Sequence, residues 1–321
     1  MIARSPETKA AIGPTFINIG PGRCATSWLH EIFLAHPEIT MAKVKETEFF
    51  NNNFEKGTDW YHSLFKSEGN AVAGEISNCY YTEPHIAQRI REYAPDMKII
   101  INVRDPYSLL KSFHGFGIRR GIELGPLEES LDVPIGRLMS SGFEQREQRN
   151  ELTDGDRVSI LDAVMLSRFV EPILEKFASE NVYIFIFERL KTEKDKVIRE
   201  MYDFVGADSQ FVPPAAEQVV NASITPKSKW IARLATKVAF LLRSVGAYKL
   251  LSTLHQSRLV KKIFYNEAGK SDGPKIDPRK ILDAESKQLL DQEIENMMNL
   301  HPPLKKWWEH LVPDSNSVVA Q

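Results

Sequence analysis

The chain has 321 residues, 42% of them hydrophobic, enough for one large core or a core with a helical appendage. A net charge of −2 and a pI near 6.5 exclude the basic balance of a general nucleic-acid binder. The two cysteines, Cys24 and Cys79, exclude a disulfide framework and fit no zinc spacing.

Residues 1–14 read as a flexible lead without the apolar run of a signal peptide. No stretch of eighteen apolar residues occurs, so a soluble, cytoplasmic chain is expected. Thr15–Ile19 reads as a short buried strand, followed by the turn cluster Gly20-Pro21-Gly22. Leu29, Ile32, Phe33 and His36 then recur at helical spacing until Pro37 stops the helix. Strands are predicted at Ile39–Val44 and Val72–Ile76, and a helix at 84–93. Lys98–Val103 is an apolar, β-branched run, the clearest buried parallel strand. A helix near 106–116 follows, then a long one over 161–180, a strand at Val182–Phe187, and a helix at Lys194–Val205 with Gly206 as its cap. Strands alternating with helices predict an α/β fold, a P-loop-like parallel sheet flanked by helices. Residues 15–312 are expected to form a single domain, with 218–312 a mainly helical cover. Its last helix spans 284–299, after a linker-like break at Gly269–Pro278, and residues 313–321 form a tail.

The first strand runs into Gly20-Pro21-Gly22-Arg23-Cys24-Ala25-Thr26-Ser27 and then helix. Such a loop offers unpaired backbone N–H groups and the positive end of a helix dipole, which is a phosphate site. An ordinary strand–helix turn is the alternative. A nucleotide kinase is the sharper rival, but its loop needs G-x-x-x-x-G-K-[ST]. Aligned from Gly20, Ala25 stands at the second glycine and Thr26 at the lysine, which argues against ATP chemistry.

Arg23-Cys24-Ala25-Thr26-Ser27-Trp28-Leu29 resembles the 5′-phosphosulfate loop of sulfotransferases that use 3′-phosphoadenosine-5′-phosphosulfate (PAPS). Ala25 replaces that family's usual glycine, a mild change if its φ is ordinary. A second basic site, Arg104-Asp105-Pro106 with Ser112 eight residues after Arg104, resembles the family's 3′-phosphate motif. Leu109 stands where many members have arginine. Asn221-Ala222-Ser223-Ile224-Thr225-Pro226-Lys227-Ser228 resembles a segment that borders the nucleotide, with Lys227 in place of arginine. The resemblance thus implies a PAPS site built from Gly22 to Trp28, Arg104, Ser112, Asn221, Lys227 and Ser228, with adenosine 3′,5′-bisphosphate as product and no metal.

Lys45-Glu46-Thr47-Glu48-Phe49-Phe50 resembles the Lys-Glu-x-x-Phe-Phe stretch of heparan-type carbohydrate sulfotransferases, whose glutamate is the base. Sulfuryl transfer needs a base beside the acceptor and cations at the leaving phosphate. The resemblance assigns these roles to Glu46 and to Lys45 with Arg23. On an extended strand Glu48 would share a face with Glu46, which makes it the rival base. Gly74-Glu75-Ile76-Ser77-Asn78 resembles another family segment, so Glu75 and Ser77 are candidates to contact the acceptor or brace the loop. His114, close to Ser112, is a further candidate to contact the acceptor, although a structural histidine is the plainer reading. The expected partner is a carbohydrate, lipid or small-molecule acceptor, without nucleic acid. A non-catalytic nucleotide-binding module is the remaining alternative. Val219–Asn266 holds nine lysines and arginines and no acidic residue. It reads as a basic amphipathic cover, or else as a contact for an acidic acceptor or, less favoured, a membrane surface through 227–262.

Overall fold

The computed structural model describes residues 13–65, 72–140, 142–214 and 276–312, together with Val238. Asn221, Lys227, Ser228 and the basic 227–262 stretch therefore lie outside the described residues. So do most of the lead, the linker-like break and the whole 313–321 tail.

Among the described residues the sheet has five strands: β1 (Phe16–Asn18), β2 (Ile39–Met41), β3 (Val72–Ile76), β4 (Lys98–Val103) and β5 (Val182–Ile186). Their order is β2-β3-β1-β4-β5, and every pairing is parallel. β3 and β4 match their predicted limits, whereas β2 stops at Met41 rather than Val44. β1 is central, so all three of its residues are buried.

Side chains alternate across the sheet because successive residues of a strand point to opposite faces. Phe16, Ile100 and Phe185 enter one core with Leu29, Ile32, Phe33, Met201 and Tyr202. These come from α1 (Thr26–Ala35) and α9 (Lys194–Val205). Ile17, Ile99, Ile101 and Val103 enter the opposite core. That face is covered by α3 (Ile86–Tyr93), α4 (Pro106–Arg119), α8 (Ser167–Lys176) and the C-terminal helix Ala284–Leu300. Gly74 lies opposite Phe16 in register, and a Cβ there would come within 2.1 Å of the Phe16 ring. Only glycine lets that ring lie flat on the neighbouring strand.

The predicted long helix over 161–180 is shorter. Ser159 Oγ accepts from the Asp162 N–H at 2.9 Å, and the chain makes 3₁₀ turns at Asp162–Val164 and Ser179–Asn181 around α8. Buried Glu293 of the C-terminal helix accepts from the Ser167 N–H at 2.8 Å and hydroxyl at 2.5 Å, which caps α8 from outside. α2 (Gly57–Ser63) and the short helices α5 (Ile135–Met139), α6 (Phe143–Gln148) and α7 (Asp154–Arg157) had no counterpart among the sequence expectations. No helix among the described residues is long and apolar enough to cross a membrane.

Candidate active site

The C-terminal ends of β1 and β4 are joined by buried amides. Asn18 Nδ2 donates to Asn102 Oδ1 at 2.6 Å, and Asn102 Nδ2 donates to the Cys24 carbonyl at 2.7 Å. Asn18 Oδ1 accepts from the Gly20 N–H at 3.0 Å. This fixes the loop between β1 and α1. The α1 N-cap, Ala25, makes no side-chain capping bond, so the first N–H groups of the helix stay open for an anion. Cys24 and Trp28 turn their side chains into the core, where burial pushes the Cys24 thiol up to about 12. Only their backbone can serve a ligand.

Five described non-glycine residues have positive φ, and four of them lie here: Arg23 (67°), Ala25 (67°), Glu46 (62°) and Glu48 (50°). Ala25 thus occupies the left-handed region that favours glycine, so the condition under which the replacement would be mild is not met. Left-handed backbone of this kind is sustained by surrounding contacts and concentrates at functional sites.

Arg104 follows β4 and donates to the Arg23 carbonyl at 2.9 Å, while its guanidinium lies 4.3 Å from the Phe187 ring centre. Arg23 Nε donates to Ser112 Oγ at 3.3 Å, and Arg23 lies 4.9 Å from the Phe116 ring. The structure therefore brings Arg23, Arg104 and Ser112 together. Burial, then the charges of Arg119 and Arg104, push the Arg23 guanidinium down to about 10. Arg104 Nε is buried with no partner among the described residues. Clustered guanidinia with an unfilled donor fit a phosphate.

Asp105 caps α4 through the N–H groups of Tyr107 at 3.0 Å and Ser108 at 3.3 Å. Glu188 in turn accepts from the Asp105 N–H at 2.9 Å and from Trp308 Nε1 at 3.1 Å. A C-terminal residue thereby anchors the strand end that carries Arg104.

The segment after β2 is not the extended strand expected, because Glu46 and Glu48 both adopt left-handed backbone. Glu46 is held twice by Asn78, whose N–H donates to Oε2 and whose Nδ2 donates to Oε1, each at 2.6 Å. Lys45 Nζ lies 3.3 Å from Glu46 Oε1 and 3.2 Å from Ser27 Oγ. The predicted base, its lysine and the phosphate loop are therefore in contact. Asn78 also packs against that loop, since a Cβ at Gly20 would come within 2.5 Å of its carbonyl oxygen. Sequence reasoning quoted Asn78 but gave it no role, and its position just beyond β3 was the available signal.

Glu75 is fully buried, and burial raises its pKa. Its Oε1 accepts from Tyr61 at 2.5 Å and Tyr80 at 3.0 Å, and its Oε2 from Ser77 at 2.9 Å and from Thr47. Three of these hydroxyls also accept consecutive backbone N–H groups. Ser77 takes Glu48, Thr47 takes Phe49 and Tyr80 takes Phe50, at 3.2, 3.3 and 3.2 Å. Glu75 and Ser77 therefore brace the loop that carries Glu46 and present no open face to an acceptor.

Glu48 is buried, which raises its pKa, and its Oε2 accepts from Asn52 Nδ2 at 2.8 Å. Asn52 Oδ1 accepts from Arg146, which pairs with Asp156. Glu48 is thus committed to a link with α6 and α7. His114 is also buried, and its Nε2 donates to the Gly125 carbonyl at 3.0 Å, a structural contact. Among the described residues, no group of three or more His, Cys, Asp or Glu could hold a metal ion.

The family model for the sulfotransferase domain matches residues 14–230. The bifunctional heparan sulfate N-deacetylase/N-sulfotransferase 1 of Caenorhabditis briggsae is 25% identical over 198 residues, 59% of this chain and 22% of that protein. Human heparan sulfate glucosamine 3-O-sulfotransferase 6 is 28% identical over 139 residues, 38% of this chain and 40% of that one. The chain thus spans well under half the length of these relatives. A sulfotransferase structure from Alicyclobacillus acidocaldarius superposes with a TM-score of 0.53 at 24% identity, covering 74% of this chain and 99% of its own, which supports the fold. With a family match over most of its length, the chain belongs to the sulfotransferase domain family.

Proposed function

We propose that this sulfotransferase uses PAPS as donor and transfers its sulfuryl group to a hydroxyl or amine, with Glu46 as base. The observation that carries this reading is the contact of Lys45 with both Ser27 of the phosphate loop and Glu46. One cation thereby joins the place where negative charge leaves to the place where a proton is taken.

When bound, PAPS supplies the sulfuryl group and a phosphate leaving group. The N–H groups at the start of α1, with Arg23, hold the 5′ side, and Arg104 with Ser112 hold the 3′-phosphate. Glu46 takes the acceptor's proton as the new bond to sulfur forms opposite the breaking one. Lys45 and Arg23 neutralise charge on the departing phosphate. Asn78 uses one lone pair on each Glu46 oxygen and leaves others free for the acceptor proton. The relatives are named for heparan sulfate, which puts a carbohydrate acceptor ahead of a lipid or small natural product.

The test is Glu46→Gln. Turnover with PAPS and a glucosamine-containing oligosaccharide should fall at least ~100-fold, the lower range for a lost general base. Binding of adenosine 3′,5′-bisphosphate should stay within about twofold, since Glu46 serves the acceptor side. Surviving turnover would remove Glu46 from the role.

A further inference from the structure

α4 carries Ser112, Phe116 and Arg119 at spacings of four and three, so the three side chains lie on one helix face. Arg23 already sits on that face, bonded to Ser112 and stacked beside Phe116. Gly115 occupies the same stretch. A Cβ at Gly115 would come within 3.2 Å of Arg119 Nη1, so the guanidinium folds back along the helix toward Ser112 and over the bare glycine. A glycine inside a helix is destabilising relative to alanine, and the space it leaves here is taken by a charged group. Arg119 is half-buried, burial lowers its pKa, and no carboxylate or carbonyl among the described residues bonds to it. Its charge also bears on Arg23, which is bonded to Ser112. Like charges brought together and partly desolvated repel one another, and a bound anion relieves that repulsion.

We infer that Arg119, seated over Gly115, joins Arg104 as a second guanidinium of the donor's 3′-phosphate site and sets the preference for a 3′-phosphorylated nucleotide. This rests on the PAPS reading above. Arg104 reaches the site from the end of β4 and Arg119 from the last turn of α4, and Arg23, on the 5′ side, touches both Ser112 and Arg104. A nucleotide lacking the 3′-phosphate would leave this cluster uncompensated, which is how a site rejects an analogue missing one charged group.

The test compares adenosine 3′,5′-bisphosphate with adenosine 5′-monophosphate by calorimetry on the full chain, for the wild type, Arg119→Gln, Arg119→Lys and Gly115→Ala. The wild type should prefer the bisphosphate. Arg119→Gln should weaken bisphosphate binding roughly 10-fold or more, the scale of one charge-assisted contact. Monophosphate binding should move less than about twofold, which also reports that the variant is folded. Arg119→Lys should recover part of the loss, and Gly115→Ala should weaken the bisphosphate selectively by displacing the guanidinium. A wild type without preference would overturn both the PAPS reading and this inference. A wild-type preference that survives Arg119→Gln, or an equal loss for both nucleotides, would overturn the inference alone.

Discussion

Asn78 grips Glu46 by both carboxylate oxygens, with its backbone N–H and its side-chain amide each 2.6 Å from one of them. Two donors from one residue fix both the position and the rotation of the carboxylate. A base that is free to rotate loses the alignment on which proton transfer depends, and a displacement of about 1 Å can cost ~100-fold in rate. Asn78→Ala removes the Nδ2 donor and keeps the N–H. Its kcat should fall roughly 10- to 100-fold, with bisphosphate affinity little changed. Steady-state kinetics beside calorimetry checks this. An unchanged kcat would mean that the backbone contact and Lys45 suffice to orient Glu46.

Glu75 supports the same loop from below. Its four lone-pair sites are filled by four hydroxyls, and three of those hold the N–H groups of Glu48, Phe49 and Phe50. Removing the carboxylate leaves four buried hydroxyl donors without an acceptor, each an unfavourable group of ~1 kcal/mol or more. Glu75→Ala should therefore destabilise the fold by about 3 kcal/mol or more, read from urea unfolding. Glu75→Gln keeps one acceptor oxygen and should lose less. Equal losses in the two variants would show that packing volume, rather than the hydroxyl ring, matters at this position.

Much of this was legible in the sequence, and the omissions have physical reasons. β4 stood out because a strand buried on both faces reads as an apolar run, and Arg104 and Ser112 came with it as a strand end and a helix position. Lys45 and Glu46 were found as chemistry, but the backbone that presents them was not. Alternating charges suggest an extended strand, whereas Ser77 and Asn78, some thirty residues away, hold the segment in left-handed turns. Asn78 and Arg119 escaped notice for the same reason. One acts through a backbone N–H, the other through a glycine that makes room for it, and neither is a motif of residue types. The role of Glu75 depends on Tyr61, which stacks on Phe49 at 4.1 Å and lies on a helix that no local pattern announced.

Ala25 sits at φ 67° and ψ 18°, where a β-carbon is strained by ~1–2 kcal/mol. Ala25→Gly removes that strain and adds unfolded-state entropy worth roughly 0.5–1 kcal/mol, so a net stabilisation of up to about 1 kcal/mol is expected. Ala25→Val adds a branched side chain to the same backbone and should destabilise by more than the glycine gains. Thermal unfolding of the pair without nucleotide reads both signs. A destabilised glycine variant would show that the Ala25 methyl group contributes packing that outweighs its backbone strain.

Glu293 is buried on the C-terminal helix and accepts from the Ser167 N–H and hydroxyl, yet burial outweighs those bonds and pushes its carboxyl up to about 7 from an ordinary 4.5. The folded chain therefore binds this proton more tightly than the unfolded chain. The stabilising contribution is complete below pH 4.5, falls as pH rises through the window from 4.5 to 7, and is gone above it. The full span is roughly 3 kcal/mol. Glu293→Gln keeps an acceptor for Ser167 and cannot ionise, so its stability should depend less on pH. Urea unfolding at pH 5 and pH 7.5 should show the variant gaining on the wild type at the higher pH. The other buried carboxylates are common to both proteins and cancel in that difference. Curves that run parallel at the two pH values would mean that Glu293 is ionised throughout, with its charge carried by the N-terminus of α8.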